Sequence, residues 1–187
     1  MNFSENMPAI IAAAVAVILL LVVIFVRKPI RNLFDRFRLM RAIKRLGTAS
    51  MSNVVLSDGM DGHVFIEHLV LKPNQVLVVS VRRYAGAIFA AENMDMWAQV
   101  TVGGSYKFPN PLHELGTATA AVKSHLPDAA VAGIVLFGRE STFPKGKPDG
   151  VMHISEITKL PAASREAEIS EPVRKAWDRL LELKLST

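Results

Sequence analysis

The chain has 187 residues, enough for one domain of about 100–150 residues and a short additional segment. It contains no cysteine, which excludes disulfides, thiolate metal sites and cysteine nucleophiles and suits a reducing compartment. The 22 Lys and Arg exceed the 17 Asp and Glu for a net charge of +5, but the excess is local rather than spread over the chain.

After a seven-residue N-terminus carrying Glu5, positions 8–26 read PAIIAAAVAVILLLVVIFV, without one charge. A helix of that length rises about 28 Å, close to the ~30 Å hydrocarbon core of a bilayer. Lipid offers no partners to backbone polar groups, so a single spanning segment has to be helical. A cleaved signal peptide would carry a basic start, a shorter apolar core and small residues at its end. Here the start is acidic and the core runs into Phe25-Val26-Arg27-Lys28. The expectation is a retained transmembrane helix over 8–26.

Arg27, Lys28, Arg31, Arg36, Arg38, Arg41, Lys44 and Arg45 follow, opposed in that stretch only by Asp35. Basic residues beside a span stay on the cytoplasmic side, so residues 1–7 are expected outside and the C-terminal domain in the cytoplasm of a bacterial inner membrane. The cluster is expected to meet the bilayer through anionic lipid headgroups. After Arg45 there remain 14 basic residues against 15 acidic ones, so the overall basicity is no argument for a nucleic-acid-binding domain. Nucleic-acid binding through the cluster itself stays open. Within 27–46, Ile30, Leu33, Phe34, Phe37, Met40 and Ile43 recur at three- and four-residue steps, as on an amphipathic helix. Such a helix could lie in the membrane interface or open the domain.

The period then changes. Residues 53–56 suggest a short strand, and Asp58-Gly59 and Asp61-Gly62 suggest turns. Residues 63–71 and 75–82 read as paired strands around a Pro73-Asn74 turn. The second is nearly continuous in β-branched residues, as expected of a strand covered on both faces. Residues 86–90 and 96–102 are expected to continue the sheet, with a hairpin turn at Gly103-Gly104 leading to Tyr106 and Phe108. Asn110 and Pro111 form an N-cap and first position for a helix with Leu112, Leu115, Thr119, Val122 and Leu126 inward. Residues 131–137 read as a buried strand, and strand–helix–strand order favours a parallel crossover. A strand over 151–154, a short helix over 155–160 and a final helix over 171–185 complete the chain. The last has Ser170 as its cap and Val173, Ala176, Trp177 and Leu180 as its apolar stripe. That stripe suits docking onto the domain, or onto a partner protein. The fold class is α/β (α+β): a transmembrane helix, a basic helix to residue 46, a small mixed-sheet domain over 47–160, and a linker and amphipathic helix over 161–187.

The order of these signals resembles the NERD family, the nuclease-related domain, over about Gly62 to Val151. The resemblance rests on Phe65-Ile66-Glu67-His68, the strand from Val76 to Arg82, Tyr84-x-Gly86, Trp97-x-Gln99, Asn110-Pro111-Leu112 and the strand ending in Phe137. It implies a fold related to restriction endonucleases, in which two acids and a lysine on adjacent strands build a metal site. Carried onto this chain, the first acid falls on Glu67, the second on Ser80 and the lysine on Arg82. Ser80 supplies no carboxylate, and Arg82 is permanently protonated, unlike a lysine able to exchange a proton. No Gly-x-x-Gly-Glu pattern precedes them, and Glu114 stands where the family has glutamine. The resemblance therefore implies a retained scaffold with the reaction lost and no cofactor. A Mg²⁺-dependent nuclease would require acids that have moved, such as Glu92, Asp95 or Glu114. Glu67 is otherwise expected to pair with Arg82 or Arg83, and His68 to hold a hydrogen bond. His68, Tyr84, Gly86, Trp97, Gln99, Asn110 and Pro111 are expected as scaffold. His63, His113, His125 and His153 lack metal-ligand spacing.

Overall fold

The computed structural model describes residues 3–57, 62–161 and 168–185, with side chains from residue 16 on except 28, 29, 31, 32 and 185. It forms two compact units, Met1–Met40 and Arg41–Thr187. The Asp58-Gly59 turn and Asp61 lie outside the described residues, as do the side chains of 8–15, Lys28 and Arg31.

Helix α1, Phe3–Arg45, is one continuous helix where two were expected. Its described apolar side chains from Val17 to Val26 are 43–78 % exposed. Among the described residues no helix is long and apolar enough to cross a membrane, and positions 8–15 of the expected span fall outside that statement. The amphipathic stripe that follows divides. Ile30, Leu33, Phe34, Phe37 and Met40 are exposed, whereas Ala42, Ile43 and Leu46 are buried. The end of the helix therefore opens the second unit. Arg45 belongs there too, its Nη2 donating to the Leu160 carbonyl at 3.0 Å, so it is half-buried structure rather than part of an exposed basic surface.

The second unit is built on a five-stranded mixed sheet. Strands β1 (Ala49–Ser57), β2 (His63–Lys72) and β3 (Gln75–Arg82) pair antiparallel in chain order. β7 (Val131–Phe137) joins β3 in parallel, and β9 (Val151–His153) joins β7 in parallel. The parallel pairing requires a crossover, supplied by α2 (Pro111–His125). This helix lies close on β7. A Cβ at Gly133 would come within 2.6 Å of Thr119 Oγ1 and 2.9 Å of Leu115 Cγ. On α2 the buried positions include Ala118 and Ala121 beside Leu115 and Val122, small residues that permit this approach.

Strands β4 (Gly86–Phe89), β5 (Met96–Thr101) and β6 (Gly104–Pro109) do not continue that sheet. With the two-residue β8 (Ser141–Thr142) they form a second, four-stranded one ordered β6-β5-β4-β8. The chain leaves the first sheet after Arg82 and turns at Gly86, whose φ is +92° and where a Cβ would lie 2.3 Å from the Val100 carbonyl oxygen. Glycine is the residue that meets both demands. Aromatic rings join the two sheets: Trp97 lies 6.2 Å from Phe137 and 6.1 Å from Phe108, and Tyr84 stacks on Phe108 at 4.2 Å.

The described residues from 168 on also pack on this unit. Helix α4 (Glu171–Leu185) buries Val173, Ala176, Trp177 and Leu180 in the common core. Ser170 N–H donates to the Pro73 carbonyl, its own carbonyl accepts from Arg174, and Lys184 reaches the Ser52 carbonyl. Between β9 and α4, helix α3 (Ile154–Ile157) starts one residue earlier than expected. His153 is its N-cap, and the His153 N–H donates to Glu156 Oε2.

Substituting Gly133→Ala is expected to lower unfolding free energy by about 1–3 kcal/mol, because the packed Thr119 and Leu115 side chains, or α2 itself, must shift to admit the methyl. Both tryptophans are buried, so denaturant unfolding followed by intrinsic fluorescence checks it. An unchanged midpoint would show the helix free to shift.

Candidate functional site

The site forms where regular pairing of β2 stops. The β2–β3 ladder runs from Lys72 opposite Gln75 to His68 opposite Val79. One step further, the Glu67 side chain intervenes: its Oε2 accepts from the Val81 backbone N–H at 2.6 Å. On the other edge, pairing with β1 includes Ser52–His68 and Val54–Ile66 but skips Asn53, which has φ +56°. Asparagine tolerates that left-handed conformation better than a β-branched residue. Glu67 thus stands at an irregularity in both ladders, with its carboxylate free to serve as a hydrogen-bond acceptor for groups on β3.

Those groups are the Val81 N–H and the Arg82 side chain, and Ser80, two residues before Arg82, lies on the same face of β3 as Arg82. Arg82 Nη1 donates within reach of Glu67 Oε1 at 3.1 Å, Ser80 Oγ at 2.9 Å and the Val81 carbonyl at 3.0 Å. Arg82 Nη2 donates to a carboxylate oxygen of Glu114 in the first turn of α2. The expected Glu67–Arg82 ion pair is therefore present, and Glu114 makes it a three-membered one. The side chains of Arg82, Glu67 and Glu114 are 14, 31 and 72 % exposed. Charge-assisted bonds to the shielded Glu67 count for more than the exposed one to Glu114, which solvent screens.

Of the three acids considered as relocated, Glu114 is the one that meets Arg82. Glu92 and Asp95 instead contribute backbone carbonyls: Glu92 accepts from Asn110 Nδ2 at 3.1 Å and Asp95 from the Asn110 N–H at 2.8 Å. Asn110 Nδ2 also donates to the Met94 carbonyl, while its Oδ1 accepts from the Leu112 N–H as the N-cap of α2. Pro111 is buried at the first helical position. This one residue fixes the loop before it and the helix after it, and so sets where Glu114 begins its reach. Trp97 Nε1 holds the Ala91 carbonyl and Gln99 Nε2 the Ala85 carbonyl, so both act as scaffold, together with Tyr84 and Gly86. The sequence signal for Glu114 was its place one turn into a helix whose start follows the Asn-Pro pair.

His68 does not join Glu67 in a site. Adjacent residues of a strand point to opposite faces, and His68 Nδ1 instead lies 2.8 Å from Ser52 Oγ. Burial lowers its pKa; Glu67 acts in the opposite sense and Arg83 reinforces the lowering. Of the other histidines, His153 is held at both ring nitrogens, by Ser155 Oγ at 2.6 Å and the Ser141 carbonyl at 3.1 Å, and His125 Nε2 lies 2.9 Å from the Ser57 carbonyl.

The residues present do not fit a divalent metal ion. Such an ion needs carboxylate oxygens directed at it, and here both carboxylates are turned to one guanidinium. Ser80 adds a neutral oxygen where a second acid would add charge. Among the described residues no cluster of three or more His, Asp or Glu converges elsewhere.

Replacing Asn110 by alanine removes an N-cap and leaves two loop carbonyls without their donor, an expected loss of about 1–3 kcal/mol in denaturant unfolding. The lowered His68 pKa sets a pH dependence. The unfolded chain takes up the proton near the ordinary 6.5 and the folded chain only at lower pH. This contribution is therefore complete above about 6.5 and is lost as pH falls toward the folded value. His68→Gln should flatten stability across that window, which thermal unfolding in a pH series measures.

No curated protein and no solved structure matches the chain. The family model of the nuclease-related domain matches residues 33–138, from the exposed part of α1 to the end of β7 and so across Glu67, Ser80, Arg82 and Glu114. That match covers more than half of the sequence, and the chain belongs to the NERD, or nuclease-related domain, family.

Proposed function

We propose that this chain is a single-pass, membrane-anchored NERD protein that does not cleave nucleic acid and serves as a binding or scaffold module at the cytoplasmic face of a bacterial inner membrane. The observation that carries the loss of cleavage is Arg82, bonded to Glu67 and Glu114, with Ser80 where the family's second acid would stand. Phosphodiester hydrolysis with a metal needs an open coordination position and a group able to move a proton. A guanidinium held by two carboxylates supplies neither.

The membrane address rests on the uncharged run over 8–26 and on the ten consecutive exposed apolar side chains from Val17 to Val26. Water does not tolerate so long an apolar stripe without a cover, and hydrocarbon is the cover its length suits. Arg36, Arg38, Arg41 and Lys44 are exposed after it, suited to anionic headgroups and to an inward-facing domain. With the remaining charge near balance, a protein partner suits the domain better than a polyanion does. Nucleic-acid binding by the basic stretch would be recognised by an affinity falling steeply with salt.

The full-length protein purified in detergent is expected to leave DNA and RNA intact with Mg²⁺ or Mn²⁺. Metal-dependent cleavage abolished by Glu67→Ala would overturn the non-cleaving reading in favour of a nuclease whose second acid has moved to another position, such as Glu92, Asp95 or Glu114. A reporter fused after Thr187 is expected to be active only in a form that works in the cytoplasm, and activity of an extracytoplasmic reporter there would reverse the topology.

A further inference from the structure

The metal implied by the family and the groups present at its position disagree, and the disagreement has a definite form. Arg82 does not lie beside an otherwise complete acidic site. Its guanidinium is ringed by four oxygens from three elements: Glu67 Oε1 of β2, Ser80 Oγ and the Val81 carbonyl of β3, and Glu114 Oε2 of α2. An all-oxygen surround with two carboxylates is what a hard divalent cation takes, and here a side-chain cation is in its centre. The group is 14 % exposed, and the β3–β7 pairing of Arg82 with Phe137 fixes the backbone it hangs from.

From this we infer that Arg82 has taken the place of the divalent ion and works as a resident cation, joining β2 to β3 and tying α2 to them by the weaker, exposed bond to Glu114. The inference rests on the non-cleaving reading above and adds what replaced the metal. Three consequences separate it from an ordinary ion pair. The wild-type domain keeps its form without divalent ions and is indifferent to chelators. Metal ions gain no foothold at Glu67 while Arg82 is present. Removing the guanidinium leaves two carboxylates and two neutral oxygens around one space, and their repulsion makes that space selective for a cation.

The test uses the full chain in detergent with Mn²⁺ as probe, read by water proton relaxation and by the shift in thermal midpoint. Wild type is expected to show only weak Mn²⁺ binding that does not depend on Glu67, and the same midpoint with and without chelator. Arg82→Ala is expected to start from a lower midpoint and to bind Mn²⁺ at least tenfold more tightly than wild type, recovering part of the lost midpoint. Adding Glu67→Gln should abolish that gain. A merely structural Arg82 would lower the midpoint without creating Mn²⁺ affinity, and that result overturns the inference. Arg82→Gln, which fills more of the space, provides the same reading if the alanine variant does not fold. Wild-type Mn²⁺ binding that depends on Glu67 also overturns it. If no cleavage accompanies that binding, the non-cleaving reading stands; if cleavage does, both fall.

Discussion

Strand β3 is paired along both edges, antiparallel to β2 and parallel to β7, and from Val76 to Ser80 no side chain is more than 8 % exposed. Burial on every side dictates what its residues can be. The first four positions are aliphatic, and Ser80 is tolerated because its hydroxyl accepts from Arg82. A carboxylate at that depth would need a cation of its own, which in this family's implied chemistry is a metal. With serine there the requirement disappears, and the guanidinium two residues on becomes available to acids from other elements. The neutral residue at 80 and the positive one at 82 are therefore one substitution in physical terms, although they are two in sequence.

The tie made by Arg82 has an uneven energetic profile. Glu67 is shielded and also accepts from a backbone N–H, so losing Arg82 would leave a half-buried carboxylate under-compensated. Glu114 is exposed and can satisfy itself with water. The stable part of the cluster is thus the β2–β3 half, with α2 joined to it by a weaker bond. What keeps α2 in place is chiefly Asn110 and the close packing at Gly133, both independent of charge.

Much of the fold was legible because it follows from short-range rules. The bounds of β3, β7 and α4, and the Asn110 cap of α2, agree with periodicity and capping residues. The division into two sheets was not legible. Residues 86–90 and 96–102 look like strands, but which neighbour they pair with depends on the turn at Gly86 and on aromatic rings from Tyr84 to Phe137, which meet only in space. At the site, Glu67 pairing with Arg82 could be anticipated because adjacent strands bring them together. The choice of Glu114 over Glu92 and Asp95 could not, since it depends on which of three nearby acids the helix start directs at the guanidinium. The unity of α1 was hidden by Pro29 and by the change from an apolar to a basic face, and its burial pattern shows that the change of environment begins at Leu39 instead.

Helix α4 gives the domain an order of events as well as a shape. Val173, Ala176, Trp177 and Leu180 complete a core whose other walls come from residues 51 to 151, and they lie beyond the end of the family match at 138. During synthesis the sheets can pair early, before α4, the last wall of the core, has been made. Until then the apolar positions on β1 and β3 that α4 packs against lack that cover. The nascent domain therefore passes through a stage in which it is topologically formed yet sticky, and the docking of α4 is what closes it.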